Sequence, residues 1–453
     1  MNDDSQAVSE LFAEIAVPVP LDRTFHYRMT IDQAGTLKPG MRVRVPFGPR
    51  RVEGYCVGLA DRSEVKVHKG IDKILDVEPL LDAEQLELAR WIARTYCAGL
   101  GEVLDCMLPG AVRKNVRVAS RTEVALVASV PETRAVLDAM RRPSAKRLAV
   151  VEALLAAGGR MPLDPLLQNA GVTKAVVSSL QKDGLLGVHK VEVAPWETEP
   201  PVERESAPTP TREQQLALDK VLSALRAGRH QGFLLFGVTG SGKTEVYLRA
   251  IEQVVASGRQ AIVLVPEIAL TPQAIGRFRR RFSAVAVMHS GMSEGERHAY
   301  WRAIAHGRAS VVVGARSAVF APTRNLGLIV IDEEHEPSFK QGNSPRYHTR
   351  DVALWRASHG NFPVILGSAT PSLESYAEVA RGRFDLLELT RRVKGRPMPA
   401  VEVIDMRTES YSRHGCQVLS RALEQRLKGV LEKGEQGMLF LNRRGFSTVL
   451  FCP

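Results

Sequence analysis

The chain has 453 residues, of which 44% are hydrophobic and 25% charged, and its formal net charge at pH 7 is +11. Such a composition is typical of a globular protein with roughly two to four domains. No apolar run reaches about 18 residues and the chain starts with the polar, acidic MNDDSQ, so we expect neither a membrane span nor a signal peptide.

The excess of basic residues favours a polyanionic partner, with nucleic acid ahead of an anionic membrane. The alternative is that the arginines only form a solvated surface. The cysteines Cys56, Cys97, Cys106, Cys416 and Cys452 have no framework spacing, which fits reduced thiols in a cytoplasmic protein.

Residues 10–112 predict a β-rich domain. Alternation of apolar and polar residues indicates strands at 12–19, 41–47 and 54–59, and helical spacing indicates a helix at 84–97. Arginines of this region line either a phosphate-facing surface or the solvated face of an antiparallel sheet, and the pattern does not decide between the two. They are Arg42, Arg44, Arg50 and Arg51.

Residues 120–193 predict a helical segment with a β-like end. Helices are indicated at 145–157, 163–169 and 173–183, the last closed by Gly184, and a strand at 185–193. Three helices and a terminal ribbon are typical of a winged helix, which binds DNA or docks proteins. Nearby basic residues are Arg141, Arg142, Lys146 and Arg147. Residues 194–211, rich in Pro and Glu, predict an exposed linker.

From about residue 210 the pattern alternates strands and helices. Strands are indicated at 233–236, 261–265, 285–288, 311–313, 328–331 and 364–366. Such alternation predicts a mostly parallel sheet covered by helices, with its ligand at the carboxyl ends of the strands.

The first of these strands runs into a phosphate-binding loop with the pattern G-x-x-x-x-G-K-[ST]. Its glycines allow a tight turn whose N–H groups point at phosphate oxygens, and the following helix adds its positive dipole end. Lys243 can reach the β- and γ-phosphates, and the Thr244 hydroxyl can bind Mg²⁺. The loop consists of Gly237, Val238, Thr239, Gly240, Ser241, Gly242, Lys243 and Thr244.

Two further motifs follow apolar strands, DEEH at 332–335 and GSAT at 367–370. Asp332 can hold Mg²⁺, Glu333 can polarise an attacking water as general base, and His335 can relay contact with the γ-phosphate region. We expect the small hydroxyl residues of GSAT, Thr370 among them, to contact DEEH and couple nucleotide state to movement.

GVTGSGKTE, DEEH and GSATPS, in this order and spacing, resemble the first RecA-like lobe of a superfamily 2 helicase. VPEIALT at 265–271 and GARSAVFAP at 314–322 are similar to the primosomal protein N′ (PriA) family of replication-restart DNA helicases. The resemblance spans residues 14 to 452. It implies an α/β fold in which a P-loop RecA-like lobe follows an N-terminal β-rich DNA-binding domain and a winged-helix domain.

The same resemblance implies an ATP- and Mg²⁺-dependent 3′-to-5′ DNA helicase that recognises stalled forks and starts primosome assembly. Forked and single-stranded DNA, single-strand-binding protein and primosome or helicase-loading proteins are the implied partners of a cytoplasmic, nucleoid-associated monomer without a membrane role. The alternative is a non-catalytic fork-binding scaffold that recruits restart proteins. An RNA translocase is disfavoured by the N-terminal match.

Residue roles follow from the family's motifs. The resemblance of residues 211–214 makes Gln214 the candidate reader of adenine. The loop after DEEH is similar to an aromatic-rich DNA sensor, in which rings stack on bases and cations meet phosphates. The alternative is a loop whose rings are only packed. The candidates are Phe339, Lys340, Arg346, Tyr347 and Arg350.

The first segment resembles the family's 3′-end-binding domain. Phe25, Gly48 and Lys69 match the pocket for a 3′-terminal nucleotide, whereas His26 stands where the family has an Asp. A neutral His can still accept a hydrogen bond from a 3′-hydroxyl.

Near the carboxyl end, LNRRGF at 441–446 is similar to the start of the second lobe, and FCP at 451–453 to the opening of a zinc knuckle. We therefore expect a truncated second lobe, with zinc bound at Cys452 only in the full-length protein, and slow ATP hydrolysis. The predicted domains are the 3′-end-binding domain at 1–113, the winged helix at 114–194, the linker at 195–211, the ATP-binding lobe at 212–395 and the second lobe at 396–453.

Overall fold

The computed structural model describes residues 11–63, 69–114, 116, 118–128, 144–198, 202–393, 400–407 and 419–440. They belong to two compact units, 1–394 and 395–453. In the second unit, Ser420 caps the helix Arg421–Glu432. The predictions at Arg141, Arg142, Cys416, Cys452 and residues 441–446 lie outside the described residues. No helix in the described ranges is long and apolar enough to cross a membrane.

The N-terminal part of the first unit is an antiparallel sheet with the strand order β2-β1-β4-β3-β5. Ala13, Ile15, Val43 and Val45 point to its core because successive side chains alternate between the two faces. The predicted strands and the predicted helix α2 are confirmed. The elements are β1 (Phe12–Ala16), β2 (Phe25–Arg28), α1 (Ile31–Thr36), β3 (Arg42–Phe47), β4 (Arg50–Ala60), β5 (Lys73–Ile74), α2 (Ala83–Thr95), α3 (Leu100–Met107) and α4 (Gly110–Arg113).

Arg42 fits neither interpretation of the arginines on this sheet. Its guanidinium is 3% exposed and pairs with Asp76 at 2.6 Å, so the side chain is a buried ion pair instead of a phosphate-facing or solvated cation. Arg44 is half exposed and lies 3.3 Å from Glu53.

Residues 120–192 fold around a second antiparallel sheet with the order β7-β6-β8. Val124, Val150, Leu154, Leu166 and Leu180 form its buried core with the helices. The helices and the final strand are confirmed, but the segment begins with a strand where we expected helix. The elements are β6 (Ser120–Leu126), α5 (Ala145–Ala156), β7 (Arg160–Pro162), α6 (Leu163–Ala170), α7 (Lys174–Lys182) and β8 (Leu186–Glu192).

The predicted exposed linker is wrong at its start. Ala194 is fully buried, and the Trp196 ring packs against Tyr300 with the ring centroids 5.7 Å apart. Glu192 at the end of β8 also pairs with Arg302 at 3.1 Å. Segment 120–192 is therefore attached to the following domain by packing. Among the described residues of the linker, 197–198, 202–209 and 211 are exposed.

The third sheet is parallel, with the order β11-β12-β10-β13-β14-β9-β15. All six predicted strands are confirmed, and β15 is an additional edge strand. The strands are β9 (Gln231–Gly237), β10 (Gln260–Leu264), β11 (Val285–Met288), β12 (Val311–Gly314), β13 (Leu326–Asp332), β14 (Pro363–Ser368) and β15 (Phe384–Leu389). The helices are α8 (Arg212–Ala227), α9 (Lys243–Ala256), α10 (Pro272–Arg281), α11 (Glu294–Ala305), α12 (Thr349–Gly360) and α13 (Leu373–Ala380).

Helix α2 packs on α12 and joins the N-terminal domain to the parallel sheet. The rings of Trp91 and Trp355 lie 6.0 Å apart. The Tyr96 hydroxyl donates to Asp351 Oδ2 at 2.7 Å and accepts from the His348 N–H at 3.1 Å. Burial and the Asp351 carboxylate both raise the pKa of Tyr96, so this phenol stays a neutral donor.

Replacing Tyr96 by Phe tests this joint, because the change removes two hydrogen bonds and keeps the ring. We expect the free energy of unfolding to fall by about 1–2 kcal/mol and the melting temperature by a few degrees, measured by calorimetry. Tyr376→Phe is the matched control, since Tyr376 is 48% exposed. Equal melting temperatures for wild type and both variants would contradict the assignment.

Candidate nucleotide site and DNA-end pocket

The phosphate-binding loop connects β9 to α9 at the carboxyl edge of the sheet. Gly240 and Gly242 have φ of +81° and +85°, values that side-chain-bearing residues rarely adopt. At Gly237, a Cβ atom would lie 2.6 Å from Ser241 Oγ. The glycine spacing of the motif is therefore required by the turn itself, as predicted.

Lys243 starts α9 with its side chain buried within the loop. Its Nζ donates to the Gly237 carbonyl at 2.8 Å, so the ammonium lies inside the curve of the loop. A phosphate oxygen bound by the loop would meet this charge together with the N-terminal N–H groups of α9.

Gln214 is buried, and both ends of its amide are bonded within the protein. Its Nε2 donates to the Ser241 carbonyl at 2.8 Å, and its Oε1 accepts from the Thr211 N–H at 2.8 Å. In this conformation Gln214 fixes the phosphate-binding loop to the start of α8. The geometry gives no support to the predicted contact with adenine.

Asp332 ends β13, two strands from the phosphate-binding loop. Its Oδ1 accepts from the Tyr247 hydroxyl at 3.0 Å and from the Glu333 N–H at 3.1 Å. Burial and the neighbouring Glu333 carboxylate raise the pKa of Asp332, while Tyr247 and Lys243 act in the opposite direction. A Cβ on Gly367 would lie 1.5 Å from the Tyr247 hydroxyl, so only glycine leaves room for this donor.

The other DEEH residues link to the strand-end motif on β14. Glu333 has φ of +48°, a left-handed conformation that costs a non-glycine residue energy. His335 Nδ1 lies 2.8 Å from Ser368 Oγ, which confirms the expected hydroxyl contact between the motifs. The contact is made by Ser368, whereas Thr370 is exposed and bonds to Ser368 only through its N–H, at 2.9 Å.

Glu334, to which the sequence assigned no role, is the most enclosed acid of the motif. Its carboxylate accepts from the Ser372 N–H and the Ser375 hydroxyl, both at 2.7 Å. Arg350 lies 3.9 Å from the same carboxylate and donates to Ser375 Oγ at 3.0 Å. Arg350 is therefore part of the internal link between the motifs. Its contact with DNA phosphate stays a prediction.

The aromatic residues of the loop after DEEH are buried. Phe339 and Tyr347 are each 1% exposed, and Tyr347 packs edge-on against Phe320 at 4.9 Å. Rings in this position cannot stack on bases, so the alternative of a packed loop is correct here. Lys340 and Arg346 are exposed and stay candidates for phosphate contact, although Lys340 Nζ also lies 4.8 Å above the Tyr96 ring.

One pocket gathers most of the predicted nucleotide ligands. Its lining combines the phosphate-binding loop from Thr239 to Thr244 with Asp332 and Glu333, whereas Gly237, Val238, Gln214, His335 and Thr370 lie outside the lining. Thr244 and Asp332 supply hydroxyl and carboxylate oxygens, the donors that Mg²⁺ prefers. Among the described residues, no group of three or more His, Cys, Asp or Glu could hold a metal ion.

A second pocket lies in the N-terminal sheet and gathers Phe25, His26, Gly48 and Lys69, as the sequence predicted. Phe25 packs edge-on against Phe47 at 5.1 Å, and Lys69 Nζ donates to the Gly48 carbonyl at 3.4 Å. His26 Nδ1 lies 2.9 Å from Ser63 Oγ, and no described residue bonds its Nε2. Arg23 and Arg62, which the sequence did not single out, add cations to the lining.

A P-loop and a DEEH motif at the carboxyl edge of one parallel sheet define the ATP-binding lobe of a RecA-like helicase. Residues 211–379 match the DEAD/DEAH box helicase family, and residues 14–109 match the 3′DNA-binding domain (3′BD) of PriA. Over nearly its whole length, the chain is similar to replication restart proteins PriA.

Replication restart protein PriA of Bacillus subtilis is 38% identical over 97% of this chain and 63% of its own length. The PriA of Haemophilus influenzae is 36% identical over 97% of this chain and 59% of its own length. That of Synechocystis is 46% identical over 65% of this chain and 36% of its own length. The chain thus spans about three fifths of the first two relatives.

Asp332→Asn tests the electrostatics of the nucleotide site. The folded protein holds a desolvated carboxylate whose pKa is raised, so we expect the neutral amide to raise the melting temperature at pH 7 in the absence of nucleotide. Because the carboxyl binds its proton more readily when folded, the advantage of the variant shrinks as pH falls through the raised pKa. Calorimetry between pH 7 and pH 4 measures this difference.

Asp385→Asn is the control for the melting temperature, because Asp385 is exposed on β15.

Asp332→Asn should also bind Mg²⁺-nucleotide more weakly, since it lacks the anionic oxygen. A melting temperature for Asp332→Asn that is lower than wild type at pH 7 would show that the carboxylate stabilises the fold.

Proposed function

We propose that this chain is the ATP-binding and fork-recognising part of a replication-restart DNA helicase. The observation that carries the proposal is the convergence of Lys243, Thr244, Asp332 and Glu333 in one pocket. The similarity to PriA proteins and the DNA-end pocket support DNA as the polymer on which the motor acts. The 3′-to-5′ polarity and the start of primosome assembly rest on the family resemblance.

In this proposal the triphosphate lies on the loop N–H groups and on Lys243. Thr244 and Asp332 would hold a magnesium ion, and that ion would neutralise phosphate charge. Glu333 orients and polarises the attacking water, because it follows Asp332 directly and lines the same pocket.

Nucleotide state would reach DNA through the links between strand ends. His335 contacts Ser368 on β14, and Glu334 contacts Ser372 and Ser375 before α13 and in its first turn. Movement of DEEH would therefore shift both the strand-end motif and Arg350 on α12. Since α12 carries α2 of the N-terminal domain, the proposed path ends at the domain that holds DNA.

The pocket at His26 would hold the 3′-terminal nucleotide of a nascent strand. Phe25 can pack against the base or sugar, and His26 Nε2 can accept from the 3′-hydroxyl. Forked and single-stranded DNA are the proposed ligands. Single-strand-binding protein and primosome or helicase-loading proteins are proposed partners, and the proposed location is the nucleoid in the cytoplasm.

The second candidate function is a non-catalytic fork-binding scaffold that recruits restart proteins. It is favoured by the position of the DNA-end pocket, whose lining comes from residues 23–69 alone and needs nothing from the nucleotide site. Whether the chain hydrolyses ATP in response to DNA separates the two functions. Slow hydrolysis by this polypeptide, expected from its sequence, stays a prediction.

Lys243→Ala tests the motor. We expect DNA-stimulated ATP hydrolysis to fall by about 100-fold or more, because the variant lacks the cation at the β- and γ-phosphates. Fork affinity, measured by fluorescence anisotropy, should stay within about twofold of wild type. Lys220→Ala on the exposed side of α8 is the control. A wild type that binds forks and shows no DNA-stimulated hydrolysis would support the scaffold.

His26→Ala tests the DNA-end pocket. Forks that end in a 3′-hydroxyl should bind about fivefold more weakly to the variant, which corresponds to one lost hydrogen bond. Forks with a 3′-phosphate should bind wild type and variant alike. His189→Ala, on the exposed surface of β8, is the control. Equal discrimination between the two ends in wild type and His26→Ala would rule out this role for His26.

A further inference from the structure

The nucleotide pocket has a second wall that the helicase motifs do not include. It is built by the carboxyl-terminal half of α10, which carries Arg277, Arg280 and Arg281, and by residues 202–208, which we call the strap. Glu205 and Pro208 of the strap line the same pocket as Lys243. Three arginines and a glutamate thus lie in a pocket proposed to bind a highly charged anion.

The three arginines differ in what holds them. Arg281 is 6% exposed and is fixed on α9 by Glu245 at 3.2 Å and Glu252 at 2.6 Å. Arg280 is 43% exposed and pairs with Glu205 at 3.0 Å. Arg277 is exposed, and none of the residues that the structure describes pairs with it. Arg281 therefore serves the fold, whereas Arg277 and Arg280 can still bind a ligand.

The strap is held against α10 and α9 by hydrogen bonds that involve its backbone and side chains. The Glu205 N–H donates to the Arg280 carbonyl at 3.2 Å, and Arg204 Nη1 donates to the Arg281 carbonyl at 3.1 Å. Arg249 Nη2 on α9 donates to the Pro208 carbonyl at 2.6 Å. These contacts place the Glu205 carboxylate at the pocket. There it forms an ion pair with Arg280 and would repel a phosphate.

We propose that Arg277 and Arg280 form a subsite for the distal phosphate of a nucleoside triphosphate, and that Glu205 occupies Arg280 until that phosphate replaces it. The inference rests on the proposed nucleotide-binding function of the same pocket. Arginine suits this role because its planar fork binds phosphate oxygens in pairs. Since the Arg280–Glu205 pair is exposed to solvent, its exchange for phosphate costs little.

The subsite predicts that the arginines discriminate between triphosphate and diphosphate. The measurement is equilibrium binding of Mg²⁺-AMPPNP and of Mg²⁺-ADP to the whole 453-residue chain by titration calorimetry. Arg277→Gln should weaken AMPPNP binding by about three- to tenfold and leave ADP binding within about twofold. Arg226→Gln, which removes an exposed cation from α8 outside the pocket, is the matched control.

Glu205 predicts an effect of opposite sign. Glu205→Gln should tighten AMPPNP binding by about two- to fivefold, because Arg280 no longer has to leave a carboxylate. Glu203→Gln, an exposed position on the same strap, should bind like wild type. In an Arg280→Gln background, Glu205→Gln should bring no further gain, since the pair it breaks is absent.

Three results would overturn the subsite: Arg277→Gln binding AMPPNP like wild type, Arg277→Gln losing AMPPNP and ADP equally, or Glu205→Gln behaving like Glu203→Gln. Lys243→Ala separates this failure from a failure of the proposed function. If Lys243→Ala loses nucleotide and the arginine and strap variants bind normally, only the subsite is wrong. If Lys243→Ala binds nucleotide like wild type, the phosphate-binding loop is not the nucleotide site.

Discussion

Asp332 is a carboxylate that the fold keeps largely out of water at the end of a central parallel strand. Its burial disfavours the charge, and the Tyr247 hydroxyl and the Glu333 N–H compensate only in part. The Tyr247 hydroxyl can lie next to Asp332 because position 367 of β14 is a glycine, which leaves room for it. Helix α9, which carries Tyr247, therefore contacts strands β13 and β14 through the Tyr247 hydroxyl oxygen. The geometry of the candidate nucleotide pocket depends on this contact.

The sequence predicted this meeting because parallel strands buried on both faces are nearly continuous apolar runs. The residues that follow such runs lie along one edge of the sheet, so Lys243 and Asp332 were expected to converge. Elements with a weaker apolar signal were missed. β15 alternates buried and exposed residues at the sheet edge, and β6 is mostly half-buried, so neither has the apolar run that marks the central strands.

Residue chemistry alone could not decide the roles of Phe339, Tyr347, Arg350 and Gln214. Stacking on a base and packing against Phe320 both use the apolar surface of an aromatic ring. Only the tertiary contacts of the ring decide which of the two occurs. Those contacts come from far along the chain, as when Tyr96, which directly follows α2, bonds Asp351 of α12. The same limit explains why Glu334, an acid within a known motif, was not recognised as the residue that joins it to α13.

Glu333 is held by its main chain in a conformation that residues with a Cβ atom usually avoid. The direction in which its carboxylate leaves the chain is consequently set by the backbone torsion first and by side-chain rotation second. Straightening that single torsion would swing the acid away from the pocket while leaving Asp332 in its strand. In the proposed role of Glu333, a small change at this one residue would turn its carboxylate towards or away from the pocket.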